Sequence, residues 1–299
     1  MGEARAAPMR IGLHLAGAAA GDLAGASVAA VGDVNGDGVS DVAVGSYQAA
    51  VDGHPRVGRV WVVFRKRGRR TVDLAHLRGR GFVVDGPSSD SGFGEAIIPV
   101  GDVNGDRRAD LAIGAPDAAF RNRLGAGAVF VVFGSRSTAR VRVGHLGRRG
   151  IVIGGDRGDG FYGSGSHIGA SLALLGEFNG DDRSDLAIGS QCNVSPDFAC
   201  AFVVYGGAPQ ATLDLAELGS RGLTISRGES RVAPFDLQVA AAGDVNGDGL
   251  GDLLLGEGSE PSRFGANQRV ARVVFGRSAG GRLSLDTMGD GGFAIVSNA

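Results

Sequence analysis

An acidic segment of ten residues occurs four times in this chain of 299 residues. It reads GDVNGDGVSD at 32–41 and returns with few changes at 101–110, 176–185 and 243–252. A segment that recurs about every 70 residues indicates a repeat architecture before any other fold. Because each copy carries acidic or amide side chains at alternate positions, the sequence predicts four similar loops in four similar units.

Short apolar runs flank every acidic segment. In the second unit they are GFGEAIIPV before the segment, DLAIG directly after it, and then GAVFVVFG and RGIVIGG. Runs of about four to eight residues that are rich in Val, Ile and Phe and bounded by Gly, Asp or Ser predict β-strands. No stretch keeps a helical period of about 3.6 residues. Four strands per unit with short connections are typical of a β-propeller blade, so the sequence predicts an all-β chain.

We interpret the chain as a single repeat domain over residues 1–299, a β-propeller or propeller segment of about four four-stranded antiparallel blades. The predicted blades span about 23–86, 92–155, 164–227 and 234–297. A leading strand at about 10–16 aligns with the fourth strand of a unit, which adds one strand to the four complete sets. A ring closed by one N-terminal strand would leave a strand over, so a segment of a larger ring and an unusual small ring are both consistent with the sequence.

The acidic loops have the donor pattern of a metal site. In the first loop, side-chain oxygens stand at positions 1, 3, 5 and 9, and the backbone carbonyl of position 7 can turn inward. Ca²⁺ accepts six to eight hard oxygen ligands, whereas Zn²⁺ needs nitrogen or sulfur and Mg²⁺ keeps several waters. Two carboxylates about 4 Å apart repel by roughly 4 kcal/mol at an effective dielectric constant near 20, which a cation would relieve. A metal-free Asp/Asn/Gly turn is the alternative for one copy, but four copies at one place in a repeat favour metal.

The sequence therefore predicts up to four Ca²⁺ ions, each in the loop between the first and second strands of a blade. The predicted ligands are Asp33, Asn35, Asp37, Val39 and Asp41 in the first loop; Asp102, Asn104, Asp106, Arg108 and Asp110 in the second; Glu177, Asn179, Asp181, Arg183 and Asp185 in the third; and Asp244, Asn246, Asp248, Leu250 and Asp252 in the fourth.

An EF-hand is excluded by the residue at position 12. An EF-hand loop ends on a bidentate Glu there and lies between two helices. In this chain position 12 falls inside apolar β-strand runs, on Val44, Ile113, Ile188 and Leu255. The predicted site is therefore a strand–loop–strand site whose last ligand is the Asp at position 9.

The four loops differ at position 6, where a sharp turn favours positive φ. Gly38 and Gly249 suit this turn, whereas Arg107 in the second loop would cost about 1–2 kcal/mol in a left-handed conformation. The third loop has Asp182 there and begins with the longer Glu177. We therefore expect the first and fourth loops to bind Ca²⁺ most tightly.

The recurring order of an FG-type turn, an acidic loop and a GAP-type strand end resembles the FG-GAP repeats of integrin α-subunit propellers and their bacterial relatives. Only the second unit has both motifs, in GFGEAIIPV at 92–100 and DLAIGAP at 110–116. The other units have AG and GSY, SG and GSQ, and PF and GEG. The resemblance implies a β-propeller whose Ca²⁺ ions brace one face of the ring while partners bind other loops. It also implies that rings of this family commonly have seven blades.

Cys192 and Cys200 flank a hairpin loop in the third unit, and we predict a disulfide between them, with two free thiols as the alternative. A disulfide and calcium sites favour an extracellular or cell-surface location. No signal peptide is visible in MGEARAAPMR, and no apolar run approaches the roughly 20 residues of a membrane-spanning helix. The triplet RGD at 157–159 is expected by chance in a chain this rich in Gly, Arg and Asp.

No spacing indicates a Ser/His/Asp or Cys/His catalytic set, and no Gly-rich segment ends in the G-K-[ST] of a phosphate loop. The net charge of −2 does not favour nucleic acid. We expect a non-catalytic, calcium-binding β-propeller that acts outside the cell in adhesion or as a protein- or glycan-binding scaffold, with further blades or a second copy as additional partners. The alternative is an accessory propeller domain of a secreted hydrolase or another larger enzyme.

Overall fold

The computed structural model describes residues 13–65, 71–158, 165–192, 199–207, 211–227, 235–256, 260–261, 267–268 and 270–296. These residues form β-strands, turns and single-turn 3-10 helices, and no α-helix occurs among them. The all-β prediction is confirmed. In this part of the chain, no helix has the length and apolar character needed to span a membrane.

The strands follow the four units of the sequence. Strand β1 (His14–Ala16) precedes the first unit. The first unit contains β2 (Ser27–Gly32), β3 (Asp41–Ser46), β4 (Arg59–Val63), β5 (Thr71–Asp73) and β6 (Gly81–Asp85). The second contains β7 (Ile97–Gly101), β8 (Asp110–Ala115), β9 (Ala128–Val132), β10 (Val141–Arg142) and β11 (Gly150–Gly154).

The third and fourth units repeat this order with added short strands. The third contains β12 (Leu172–Gly176), β13 (Asp185–Gly189), β14 (Gln191–Cys192), β15 (Ala199–Val204), β16 (Thr212–Asp214) and β17 (Gly222–Ser226). The fourth contains β18 (Phe235–Asp236), β19 (Gln238–Gly243), β20 (Asp252–Gly256), β21 (Glu260–Pro261), β22 (Asn267–Gln268), β23 (Val270–Val274), β24 (Gly281–Ser284) and β25 (Gly292–Val296). The 3-10 helices are Val143–His145, Gly147–Arg149, Leu215–Glu217, Gly219–Arg221 and Gly289–Gly291.

Each unit forms one antiparallel meander of four strands, which we call sheets one to four. Their orders are β2-β3-β4-β6, β7-β8-β9-β11, β12-β13-β15-β17 and β19-β20-β23-β25. The short strands β14 and β18 pair with each other, as do β21 and β22. The four meanders agree with the expected four-stranded antiparallel units.

A fifth, parallel strand links successive sheets. Strands β10, β16 and β24, of two to four residues, leave their own unit and pair with the last strand of the preceding sheet, namely β6, β11 and β17. Strand β5 makes the same parallel pair with β1. Strand β1 therefore occupies the place of a preceding sheet's last strand. Among the described strands none joins sheet four to sheet one, so these strands do not close a ring.

The core lies between successive sheets, because each strand contributes side chains to both faces. Val60 and Val62 of sheet one pack with Ile113 and Phe130 of sheet two. The same type of apolar cluster fills the spaces between sheets two and three and between sheets three and four. Sheets buried on both faces account for the nearly continuous apolar runs in the sequence.

The glycine of the GAP-type motif is required by close backbone packing. Gly114 in β8 lies so near the turn before β12 that an added Cβ would stand 1.8 Å from the carbonyl oxygen of Gly169. At the equivalent Gly189 an added Cβ would stand 2.2 Å from the carbonyl oxygen of Leu237. The FG-type turn of one unit therefore packs directly on the GAP-type strand of the unit before it.

Candidate metal centres

The four acidic loops lie between the first and second strands of their sheets, and the first loop folds around the carboxylate of Asp33. Its Oδ1 accepts the backbone N–H groups of Gly36 and Asp37 at 2.7 and 2.9 Å, and its Oδ2 accepts that of Gly38 at 2.7 Å. Burial acts to raise the pKa of Asp33, but these backbone donors outweigh it and lower the pKa. The Asp at position 1 is therefore held in its charged form.

The second and fourth loops have the same geometry. Asp102 accepts the N–H groups of residues 105, 106 and 107 at 2.8, 2.9 and 2.6 Å. Asp244 accepts those of residues 247, 248 and 249 at 2.7, 3.0 and 3.0 Å. The three loops are thus one structural motif, set by an Asp at position 1 and a tight turn at positions 4 to 6.

Position 6 has positive φ in every loop, as predicted. The φ angles are 83° at Gly38 and 89° at Gly249, and they are 64° at both Arg107 and Asp182. Arg107 therefore adopts a left-handed backbone conformation that is unfavourable for a residue with a Cβ atom. The second loop also contains an internal cation, because Arg108 Nη1 lies 3.0 Å from Asp106 Oδ2.

The third loop has an unsatisfied carboxylate oxygen. Glu177 Oε1 accepts the N–H groups of Gly180 and Asp181 at 2.7 and 2.9 Å. Its Oε2 is buried and has no hydrogen-bond partner in the described part of the chain. A buried, charged acceptor without a partner is costly, and a cation in the loop would satisfy it.

The Asp at position 9 has a second role that sequence reasoning missed. Asp41, Asp110, Asp185 and Asp252 are fully buried. In the second loop, Asp110 Oδ2 accepts the N–H of Val103 at 2.9 Å and its Oδ1 accepts the N–H of Gly134 at 2.8 Å. This carboxylate joins the loop to the end of the third strand, and the other three make equivalent pairs of bonds.

The pKa of Asp41, Asp110 and Asp185 is raised to about 6, chiefly by burial and also by the neighbouring acids of each loop. For Asp110 these neighbours are Asp106 and Asp102. The acids of a loop are therefore close enough to repel one another, which is the charge problem that a divalent cation solves.

The loops contain the kinds of oxygen donor that Ca²⁺ accepts. In the described residues no group of three or more His, Cys, Asp or Glu side chains is gathered closely enough to hold a metal. The loops instead combine carboxylates with Asn and backbone oxygens, a mixture that Ca²⁺ accepts. Asn35 is buried beside Asp41, with Nδ2 3.3 Å from Asp41 Oδ2. The residues present thus suit the predicted ion, while the ligand sets themselves stay predictions.

Comparison with known proteins identifies the repeat. Three segments, 24–63, 93–132 and 237–273, match the FG-GAP repeat family model. The chain therefore contains three FG-GAP repeats. The resemblance inferred from the loops, turns and strand ends is thereby confirmed. The matched segments belong to units one, two and four, whereas unit three, which has SG and GSQ in place of FG and GAP, lies outside them.

The relatives of this chain include integrin α-subunits and a phospholipase. It is 33% identical to human phosphatidylinositol-glycan-specific phospholipase D over 53% of this chain and 17% of that protein. It is 28% identical to mouse integrin alpha-X over 68% of this chain and 15% of that protein. It is 34% identical to Drosophila melanogaster integrin alpha-PS2 over 41% of this chain and 8% of that protein. The chain therefore spans less than a fifth of the length of these relatives.

The two cysteines lie in the third unit of the chain. Cys200 is buried in β15, which pairs antiparallel with β13 as expected. Cys192 lies in β14, but its side chain is outside the described residues. The disulfide between them stays a prediction.

The RGD triplet at 157–159 is described only in part, because Asp159 lies outside the described residues. The guanidinium of Arg157 is largely buried and donates to the carbonyl oxygens of Ala199, at 3.2 Å, and Gln191. The side chain of Arg157 is therefore engaged in contacts within the chain rather than presented at its surface.

Proposed function

We propose that this chain is a calcium-braced β-propeller scaffold, non-catalytic, that acts outside the cell in adhesion or by binding a protein or glycan. One observation carries the proposal: the same acidic loop, wound around the carboxylate at position 1, recurs between the first two strands of all four sheets. The FG-GAP family match and the integrin α relatives support the adhesion part.

The loops are placed to couple neighbouring sheets. The N–H of Ala109 in the second loop donates to the carbonyl oxygen of Asp33 in the first at 2.9 Å. The N–H of Gly251 in the fourth loop donates to the carbonyl oxygen of Glu177 in the third at 2.5 Å. Arg136 Nε adds a bond to the carbonyl oxygen of Asn35 at 3.0 Å. A loop made rigid by an ion would thus also hold the sheet beside it.

Each ion would be held by the oxygens of one loop, in the first loop those of Asp33, Asn35, Asp37, Val39 and Asp41, and it would supply positive charge that cancels the repulsion among them. The chain's own groups wind the loop and join it to the third strand. In this proposal, calcium stabilises the stacked sheets while the loops at the other strand ends remain available to a partner.

A second candidate function is an accessory propeller of a larger secreted enzyme. The relative named phosphatidylinositol-glycan-specific phospholipase D supports it, since the similarity covers only 17% of that protein. A hydrolase assay separates the two functions when the catalytic domain of the same parent protein is added to the purified chain. An accessory domain should raise the activity of that catalytic domain, whereas an independent scaffold should leave it unchanged.

Thermal unfolding with Ca²⁺ and with excess chelator tests the leading proposal. Because an ion that binds only the folded state adds about 2.7 kcal/mol at a hundredfold excess over its dissociation constant, the melting temperature should rise by several degrees with Ca²⁺. An equal melting temperature in chelator would contradict a bracing role for calcium.

A further inference from the structure

A cavity of about 400 Å³ lies between sheets two and three. Its wall is formed by aliphatic side chains of both sheets, among them Ile151, Ile153, Leu174, Leu186 and Leu213. A volume of this size falls within the range of about 300–1,000 Å³ that is typical of small-molecule sites. An enclosed apolar cavity of even about 150 Å³ can bind benzene.

This interface lacks an aromatic ring that fills the interface between sheets one and two. Between sheets one and two, the second residue of the last strand is Phe82, whose ring packs 6.0 Å from that of Phe64 and beneath the guanidinium of Arg149 at 5.8 Å. Between sheets two and three, Ile151 holds the place of Phe82 and Arg221 that of Arg149. The smaller side chain leaves space that Phe82 fills one interface earlier.

A second difference between the interfaces enlarges the same cavity. The residue after the first acid of the loop is Phe178 in the third unit, where it is fully buried with its ring 6.5 Å from that of Tyr205. In the second unit this residue is Val103, which lines the cavity.

The interface is also open at its loop end. Adjacent loops are joined by the Ala109–Asp33 bond between sheets one and two and by the Gly251–Glu177 bond between sheets three and four. The equivalent bond between sheets two and three would run from Ser184 to Asp102, both of which are described, and it is not formed. Ser184 lines the cavity instead, so the gap between the loops opens into it.

We propose that this cavity binds a small neutral amphiphile, with its aliphatic part between sheets two and three and its polar head at the rim. Most of the lining is aliphatic, which favours an aliphatic body. The polar part of the lining, which would receive the head, comprises an acid and a base, Asp181 and Arg221, together with Asn179, Tyr205, Ser184 and Ser220. Because charges of both signs line the cavity, a head without net charge that donates and accepts hydrogen bonds suits it best.

Isothermal titration of the full chain with octan-1-ol tests the proposal. We expect saturable binding of one molecule to the wild-type chain. Ile151→Phe should weaken binding at least tenfold, because Phe133 and Arg221 already stand where Phe64 and Arg149 receive the ring of Phe82. Ile151→Val is the matched control; it keeps an aliphatic wall, and its affinity should stay within threefold of the wild type.

Nuclear Overhauser contacts in the wild-type chain keep the test independent of how the variants fold. Octanol protons should contact the methyl groups of Ile151, Ile153 and Leu213. No binding at millimolar octanol, unchanged binding by a folded Ile151→Phe chain, or contacts only with other methyl groups would overturn the proposal. Octanoate and octylammonium should each bind at least threefold more weakly than octanol, and tighter binding of either would refute the neutral head.

Discussion

The last strands of sheets three and four have the same alternation of apolar residues but different surroundings. Ile225 in β17 is fully buried, whereas Ile295, at the equivalent place in β25, is 54% exposed. At the other end of the array, Val28 in the first strand of sheet one is 66% exposed, and the equivalent Val239 of sheet four is 7% exposed. These apolar positions are therefore buried by the neighbouring sheet and not by their own.

This comparison indicates that the stability of the array is collective. Sheets two and three have a neighbour on both sides, whereas sheet four has described neighbours on one side only. In repeat proteins, stability is approximately the sum of each unit's own contribution and its nearest-neighbour interfaces. We therefore expect a side chain that packs on a neighbouring sheet to contribute more to the free energy of unfolding in an inner sheet than in an end sheet. A side chain whose contacts lie within its own sheet should contribute equally in both.

The largest difference is expected for a matched pair of Ile→Ala substitutions. Ile225→Ala should lower the free energy of unfolding by about 2–5 kcal/mol, since it leaves a cavity between two sheets. Ile295→Ala should lower it by less than about 1 kcal/mol because its side chain is already exposed. Urea unfolding of both variants measures the two losses. Equal losses would mean that β25 is covered in solution as well as β17.

The buried Asp at position 9 should not distinguish inner from end sheets. Asp185 joins Phe178 to Gly206 within unit three, and Asp252 joins Val245 to Gly276 within unit four. Asp185→Ala and Asp252→Ala should each cost about 1–3 kcal/mol in chelator, since each leaves N–H groups that are at least partly buried without an acceptor. Chemical unfolding in chelator checks this. A loss confined to one of the two would show that this bond pair also depends on the neighbouring sheet.

Amide hydrogen exchange sharpens the comparison without a substitution. Amides of β20 in sheet four should be protected about tenfold less than those of β13 in sheet three, because local opening follows the number of buried apolar contacts. Mass spectrometry of peptides from the two strands measures the difference. Equal protection would contradict the collective account.

The smallest effect is expected from backbone strain at position 6. Arg107→Asn should stabilise the second loop by about 0.5 kcal/mol, because Asn tolerates positive φ better than Arg. Gly249→Ala should destabilise the fourth loop by about 1 kcal/mol for the opposite reason. Unfolding in chelator separates this backbone effect from metal binding. A loss of stability in Arg107→Asn would contradict the prediction and show that the side chain of Arg107 makes stabilising contacts that outweigh the strain.

The strands and loops could be predicted from sequence because they depend on local patterns. Short apolar runs and acidic or amide residues at every second position of a loop are properties of single units. The short 3-10 helices at Val143–His145 and Leu215–Glu217 likewise form within single units. These elements need no knowledge of the neighbouring unit.

Features that arise between units could not be predicted in this way. Strand β16 is three residues long, and its partner β11 belongs to the preceding unit, so no period within unit three reveals the pair. The hydrogen bond from the N–H of Gly134 to Asp110 requires the end of the third strand, 24 residues away, to be in place. That Ile151 stands at the place equivalent to Phe82, and leaves space there, can be recognised only when two interfaces are compared.

The number of calcium ions bound per chain tests the central claim most directly. Equilibrium dialysis of the metal-free chain against radioactive Ca²⁺ gives this number without reference to stability. Because four loops offer the same oxygen donors, we expect four ions for the wild-type chain and three for Asp37→Ala. A wild-type chain that binds no Ca²⁺ at millimolar concentration would contradict the assignment of these loops as metal sites.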